Sequence, residues 1–316
     1  MFIFKSAILR VATLIPVLFG VSVATFLSLA MFPGDPAEIA LVHLMETESP
    51  PQEAIMQMRD ELGYNSSITV QYICWLTRAL KGDLGYSIQS GQAVTTEVAQ
   101  AIIPSLLLAS TAILLTALIA IPLGTAAAVH AGKTIDKIAL GISLVLSSIP
   151  DFFLAVIFIF IFSLHLHLVP VAGYGNWYNL ILPAASLALI NSSITARLMR
   201  TSMLQSLRGK YILTARAKGL SETVIIGRHA LKNAFPPVLH YMGAQAGHMV
   251  GGAVVVESIF LWPGLGRLLV ESVRSRDIFV VQGCILTIGT AYVLIIIITD
   301  LLNLLLDPRV EGTANV

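Results

Sequence analysis

Six long apolar stretches constrain this chain more than any other feature of its sequence. A helix needs about 20 mostly apolar residues to cross the hydrocarbon core of a bilayer. Composition agrees, because 56% of the 316 residues are hydrophobic, only 12% are charged and mean hydropathy is +0.83. The sequence therefore predicts an all-α integral membrane protein with six transmembrane helices. These spans are 9–31, 101–129, 139–165, 179–200, 238–261 and 279–305.

Charge and cysteine content exclude other classes of protein. The 19 basic and 18 acidic residues nearly cancel, so the chain lacks the net positive field of a nucleic-acid-binding protein. Two cysteines, Cys74 and Cys284, are too few for a disulfide-stapled scaffold. The environment that the sequence indicates is the lipid membrane, with no nucleic acid.

The first apolar stretch resembles a secretory signal only in part. Lys5 and Arg10 supply a positive start, but the apolar run from Val11 to Phe32 is longer than the 7–15 residues of a signal core. We therefore expect a retained span. Thirteen of the 19 Lys and Arg residues fall inside if the N-terminus is cytoplasmic, and this distribution predicts that both termini are inside.

The spans divide the chain into three parts. Residues 1–31 form the N-terminal helix, 32–98 form an extracytoplasmic segment, and 99–310 form a five-span core that includes a cytoplasmic loop, 201–237. The 32–98 segment contains nine acidic residues and two helical patterns separated by Gly63. Either a surface for a partner or a solvated cap fits this composition.

The 201–237 loop predicts a helix–turn–helix. Tyr211 to Lys218 favours a helix, and Gly219 can take the left-handed conformation that ends one. Ser221 is an N-cap residue for the next helix, and Pro236-Pro237 is expected to stop that helix before the fifth span. The corner has small residues at which another protein's backbone could approach: Thr214, Ala215, Ala217 and Gly219. An ordinary positively charged inside loop is the alternative.

The residues of this loop carry a resemblance to a known family. Thr214 to Leu220, followed by His229 to Asn233 and Pro237, resembles the coupling loop of ABC importer permeases, and of their peptide/nickel branch in particular. A glutamate that the broader importer motif prefers is replaced by Leu213, as is common in that branch. Matching motifs extend along the chain at Gly34–Ala37, Gly82–Ser87, Ile181–Ala184, Glu257–Arg267, Asp277, Asp300 and Asp307–Arg309.

The resemblance implies a type I ABC importer permease in a bacterial inner membrane. It implies three kinds of partner: a second homologous permease, two cytoplasmic ATPase subunits and an extracytoplasmic solute-binding protein. By the same resemblance, the loop helix would dock in a cleft of the ATPase. The residues assigned to coupling on this basis are Tyr211, Thr214, Ala215, Arg216, Ala217, Lys218, Gly219 and Leu220.

Motifs for catalysis are missing from the sequence. It contains no phosphate-binding Gly-x-x-x-x-Gly-Lys-Ser/Thr, no Gly-x-Ser-x-Gly and no His-Glu-x-x-His. We therefore expect a translocation subunit that is not an enzyme and carries no cofactor, with ATP bound by partner subunits. The alternative is a stand-alone channel or secondary transporter, which would favour inverted repeats.

A transport path and a substrate are harder to predict. His248, Met249 and Glu257 are candidates for the path, although a structural hydrogen bond or ion pair is our first interpretation of Glu257, as it is of Asp300. The glycines between Gly243 and Gly252 favour close helix packing. Nickel, a nickel chelate and small peptides all remain candidate substrates. The compact segment Pro170–Trp177 is similar to that of nickel permeases. Since His165 and His167 would point apart on a helix, no metal site is assigned.

Overall fold

The computed structural model describes residues 14–30, 36–45, 50–63 and 65–306. These residues are almost entirely helical, and the described part of the chain contains no β-strand beyond an isolated bridge between Tyr86 and Ala93. In chain order the helices are α1 (Leu14–Ala30), α2 (Pro36–Met45), α3 (Gln52–Leu62), α4 (Ile68–Leu80), α5 (Val94–Val129), α6 (Thr134–Ser147), α7 (Asp151–Phe158), α8 (Tyr178–Leu207), α9 (Lys210–Ala217), α10 (Leu231–Gly252), α11 (Val254–Ile259), α12 (Leu265–Arg274) and α13 (Ile278–Leu306).

Two π-helical segments extend this set. The first, Ile159–His165, continues α7. The second, Ile225–Ala230, follows a single turn at Glu222–Val224 and leads into α10. Such wide turns are uncommon and were not predicted.

Within the described ranges, three helices are long and apolar enough to cross a membrane alone: α5, α8 and α13. A fourth span results if α6 and the helix from Asp151 to His165 are counted as one element. That pair is bent by 99°, and the bend lies within the predicted third span, 139–165. The cause is Pro150, which favours extended backbone in the residue before it and cannot donate a helical hydrogen bond.

The other predicted spans are shorter or interrupted. The apolar part of α1 covers Leu14–Leu27, and the start of the predicted first span lies outside the described residues. The fifth predicted span corresponds to α10 and α11, which are separated at Ala253. Six spans and inside termini therefore stay predictions.

Pro236 and Pro237 do not stop the helix before the fifth span, contrary to our expectation. Both lie inside α10, which begins at Leu231 and runs unbroken past them. Their neighbours Ala234 and Val238 are buried against other helices. Such packing stabilises a helix that has lost the hydrogen bonds of two prolines.

The core consists of α5, α8, α10 and α13. Helix α5 packs along α8, and α10 packs on both α8 and α13. Glycines at positions 243, 247 and 251 of α10 form the contact with α13, since a Cβ at any of them would overlap Thr299, Tyr292 or Ile288. This four-residue spacing of small residues brings two helix backbones close together. The predicted packing role of these glycines is confirmed.

Candidate functional site

Helix α9 forms the corner of the 201–237 loop. It begins after Gly209 and ends at Ala217, within one residue of the predicted bounds. Gly219 has φ +77°, and its N–H donates to Arg216 O at 2.9 Å while the Leu220 N–H donates to Ala215 O at 3.3 Å. These two bonds are those of a Schellman motif, which needs a left-handed residue after the helix. The predicted role of Gly219 is confirmed.

One face of α9 is buried in the bundle. Ile212 and Ala215 are 0% and 6% exposed, and they join a cluster with Met199 and Met203 of α8 and Val238 of α10. The placement of Ala215 in an open small-residue corner was therefore wrong. A spacing of three residues puts it on the same helical face as Ile212, which is itself buried. The other assigned coupling residues are exposed: Tyr211, Thr214, Arg216, Ala217, Lys218, Gly219 and Leu220.

A hydroxyl pair attaches α9 to the helices on both sides of it. The Tyr211 hydroxyl lies 2.6 Å from the Ser206 hydroxyl near the end of α8, and Ser206 Oγ donates to Ala230 O at 2.8 Å. Gly209 lies beneath the Tyr211 ring, where a Cβ would overlap the ring atoms. These bonds connect α9 to α8 and, through Ala230, to the start of α10. Sequence reasoning missed Ser206.

The outward side of the corner carries an ion pair. Arg216 Nε and Nη2 lie 2.7 and 3.2 Å from the two carboxylate oxygens of Glu222. Hydrogen bonding from Arg216 holds the pKa of Glu222 below its usual value. Ser221 occupies the predicted N-cap position, but its side chain makes no capping hydrogen bond. Glu222 instead connects, through Arg216, the end of α9 to the helical segment that follows the turn.

A second, more deeply buried ion pair fixes α6 to α8. Asp136 is 2% exposed and accepts from Arg200 Nε at 2.5 Å, from Arg200 Nη2 at 2.7 Å and from Gly132 N at 2.8 Å. Nearby, Arg197 donates to Ser143 O at 3.2 Å. Sequence reasoning also missed this pair. The signal was present, because Asp136 is the single acid between Glu97 and Asp151.

The three candidate path residues occupy different environments. His248 is exposed and lines a largely apolar cavity of about 510 Å³ between α1, α10 and α13. Met249 is 4% exposed and packs in the main core, so it does not line that cavity. Asp300 also lines the cavity, and its Oδ1 lies 3.4 Å from His240 Nδ1. Of His248 and Met249, only His248 therefore faces the cavity.

Glu257 belongs to a closed hydrogen-bond cluster. It is 1% exposed, and its carboxylate accepts from Ser105 Oγ at 2.6 Å and from Arg267 N at 2.9 Å. Ser105 Oγ accepts in turn from Leu265 N at 2.8 Å, and Trp262 Nε1 donates to Pro104 O at 3.0 Å. Glu257 thus joins α11 and α12 to α5. This arrangement agrees with the structural interpretation and places Glu257 away from an open path.

Asp277 joins the 32–98 segment to α13. It is 2% exposed, and its carboxylate accepts from Ser87 Oγ at 2.6 Å and Gln89 N at 3.1 Å, as well as from Val280 N at 3.3 Å. Ser87 and Asp277 both belong to the motifs that carry the family resemblance. Gly34, Asp35 and the Asp307–Arg309 motif lie outside the described residues.

Comparisons with known proteins support the same family. Residues 120–312 match the family described as binding-protein-dependent transport system inner membrane component, and residues 2–102 match its N-terminal component. The chain is 37% identical over 302 residues to the glutathione transport system permease protein GsiC of Salmonella typhi and of Escherichia coli K12, covering 96% of this chain and 97% of each relative.

A solved structure, the crystal structure of an amino acid ABC transporter with histidines, superposes with a TM-score of 0.48 at 18% identity and covers 68% of this chain and 95% of its own. The two family matches and the full-length identity to GsiC determine the assignment. The chain belongs to the membrane permeases of binding-protein-dependent ABC importers, in the peptide/nickel branch that its loop resembles.

Proposed function

We propose that this chain is one of two homologous permease subunits of an importer in a bacterial inner membrane. It crosses the membrane six times with both termini inside, and it divides into a first helix (1–31), an extracytoplasmic segment (32–98) and a five-span core (99–310). Two cytoplasmic ATPase subunits bind the ATP, and this chain holds no cofactor. Thirteen of the 19 basic residues lie on the proposed inner side, which supports this orientation.

The 201–237 loop is the proposed docking site for an ATPase subunit. The observation that carries this proposal is the corner at α9, which exposes polar and apolar side chains, Leu213 among them at 64%, while Ile212 and Tyr211 attach it to α8 and α10. A helix that is exposed outward and fixed inward can convert a push from a partner into movement of the spans.

Gly219→Asp tests the docking site. A Cβ at Gly219 would meet nothing within 4 Å, and its left-handed φ of +77° makes the backbone cost of a side chain about 1 kcal/mol. We expect the variant to insert normally, to lose uptake and to lose its ATPase on copurification. Gly91→Asp is the matched control, because Gly91 also has open space and a left-handed φ of +69°. Normal uptake by Gly219→Asp would refute the assignment.

A small peptide is the proposed substrate class. The supporting observation is the 37% identity over nearly the whole chain to permeases of glutathione transport systems, since glutathione is itself a tripeptide. Nickel or a nickel chelate is the second candidate, favoured by the compact Pro170–Trp177 segment and by the imidazole of His248 facing the cavity.

Uptake in cells with and without the gene separates these substrates. Radiolabelled glutathione, a radiolabelled dipeptide and radioactive nickel would be supplied in parallel to energised cells. Loss of peptide or glutathione uptake alone supports the first candidate, and loss of nickel uptake alone supports the second. Uptake that continues after ATP depletion would instead indicate the stand-alone transporter.

A further inference from the structure

Helix α10 has an outward side that is unsuited to lipid. None of the large hydrophobic side chains that are exposed in the described structure belongs to this helix. On α5, by contrast, the exposed side chains include Ile103, Leu107 and Leu118. The exposed residues of α10 are all polar, charged, proline or glycine: Lys232, Asn233, Pro237, His240, His248 and Gly252.

The apolar side of α10 is used for packing. Met242 and Met249 are buried in the core. Tyr241, Gln245 and His248 are spaced by one helical turn, so they share another side of the helix, which we name the polar face of α10. Tyr241 and Gln245 are half-buried and His248 is exposed. Polar side chains at membrane depth face protein or a water-filled cavity, and the polar face should therefore meet one of these.

Gln245 is hydrogen-bonded through its nitrogen and not through its oxygen. Its Nε2 donates to Asn191 Oδ1 of α8, and Asn191 Nδ2 donates to Leu187 O at 2.8 Å. Gln245 Oε1 makes no hydrogen bond with a described residue, yet it is not one of their buried unsatisfied atoms. The oxygen therefore retains accessible surface. A carboxamide oxygen in this state can accept from the N–H of another molecule.

We infer that the polar face of α10 lines a water-filled transport path, and that Gln245 Oε1 accepts a hydrogen bond from the backbone N–H of a passing peptide. Asn191 holds the carboxamide by its nitrogen, which leaves the oxygen for the peptide. Because Asn191 lies near the middle of α8 (Tyr178–Leu207), the contact is placed near the middle of the membrane. This inference rests on the proposed import of small peptides. A second permease packed tightly over the face is the alternative, and it would exclude water.

Thiol modification measures whether water reaches the polar face. A Cys74→Ser background leaves Cys284, which is 0% exposed, as the one native cysteine. Gln245→Cys is added to it, and the complex that copurifies with the chain is placed in lipid nanodiscs. The experiment compares the rate of modification by a permanently charged methanethiosulfonate with that of Leu118→Cys in the same background.

Leu118 provides a control at matched depth. Thr116 Oγ1 lies 3.4 Å from Ala188 O, and residues 72 positions apart meet again at Gly124, so α5 and α8 run parallel. Leu118 is therefore level with the residue before Asn191. Its side chain is 63% exposed and belongs to the apolar outward side of α5.

We expect the thiol of Gln245→Cys to react rapidly. The thiol of Leu118→Cys should react at least about tenfold more slowly, because a charged reagent enters hydrocarbon poorly. Gln245→Leu should lower peptide uptake about tenfold through the loss of one hydrogen bond. Since Gln245→Leu also leaves Asn191 Oδ1 without its donor, Asn191→Leu/Gln245→Leu is the second variant. It removes both partners, which preserves stability, and should show the same loss of uptake.

Two results would overturn the inference. Modification of Gln245→Cys as slow as that of Leu118→Cys would show that protein or lipid closes the polar face. Full peptide uptake by the folded double variant would show that the two carboxamides only pack α8 against α10. If the wild type takes up no peptide, the proposed substrate fails and the peptide contact fails with it, whereas rapid modification of Gln245→Cys would still support a water-filled path.

Discussion

The buried ion pair between Asp136 and Arg200 predicts an asymmetry in the stability of two variants. Asp136 is 2% exposed, whereas the Arg200 side chain is 22% exposed. Removing the arginine leaves a buried carboxylate whose remaining donor is Gly132 N. Removing the acid leaves a guanidinium that reaches water. Removal of the arginine should therefore lower the stability more than removal of the acid.

The magnitudes follow from these environments. Arg200→Met keeps the aliphatic stem and leaves the buried carboxylate unpaired, which costs about 3 kcal/mol. Asp136→Asn keeps an acceptor for Gly132 N and costs about 1 kcal/mol. For a chain of this size, each kcal/mol lowers the unfolding temperature by about 2 °C. We expect decreases of about 6 °C for Arg200→Met and about 2 °C for Asp136→Asn.

The buried thiol of Cys284 supplies the assay. In a Cys74→Ser background, Cys284 is the one remaining cysteine and is 0% exposed, so a fluorogenic maleimide reports unfolding on heating. Arg78→Met is the matched control, because it removes an arginine from an exposed pair with Asp83 that contributes at most about 1 kcal/mol. Equal decreases for the two ion-pair variants, or a larger one for Asp136→Asn, would refute the reasoning.

Three further predictions concern the loop and the helix packing. Tyr211→Phe removes the hydroxyl that contacts Ser206, so we expect a loss of about 1 kcal/mol in stability. We also expect less uptake per ATP hydrolysed in proteoliposomes. An unchanged ratio of uptake to hydrolysis would contradict a role of this hydroxyl in coupling. Gly247→Val places a side chain against the Tyr292 ring, 2.7 Å from the new Cβ. It should lower the free energy of unfolding by about 1–3 kcal/mol, measured in the same thermal assay. Gly141→Val, with open space at its Cβ, should not. Arg216 lowers the pKa of Glu222, so the pair stays charged as pH falls from 7 to 5. ATPase docking should therefore not change over that range. A loss of docking at pH 5 that is absent in Glu222→Gln would contradict this.

Local backbone rules explain why parts of the fold were predictable from sequence. Gly63 and Gly219 both end helices with φ near +77°, and no other residue type takes that conformation as readily. The glycines at 243, 247 and 251 repeat every four residues, which places them on one helical face. Such features depend on neighbours within one or two turns, so a single sequence displays them.

Features that depend on distant neighbours were not predictable in the same way. Ser105 and Glu257 are 152 positions apart, and Asp136 and Arg200 are 64 apart, so no local pattern pairs them. The error at Pro236-Pro237 has the same origin, because packing of α10 against other helices outweighs the local preference of proline. Ala215 was misplaced since the burial of Ile212 sets the orientation of α9.

The contacts that fix α9 also indicate what kind of motion it can transmit. Tyr211 and Ser206 join it to α8 and to the start of α10, the glycine face of α10 packs on α13, and Glu257 joins α11 and α12 to α5. Packed cores of this kind are not continuously deformable, and rigid elements respond to a local push by shifting together. Under the coupling role proposed above, a force on the corner should therefore move α5, α8, α10 and α13 together. Bending is expected instead where the helical chain is already broken, at the 99° angle before Asp151.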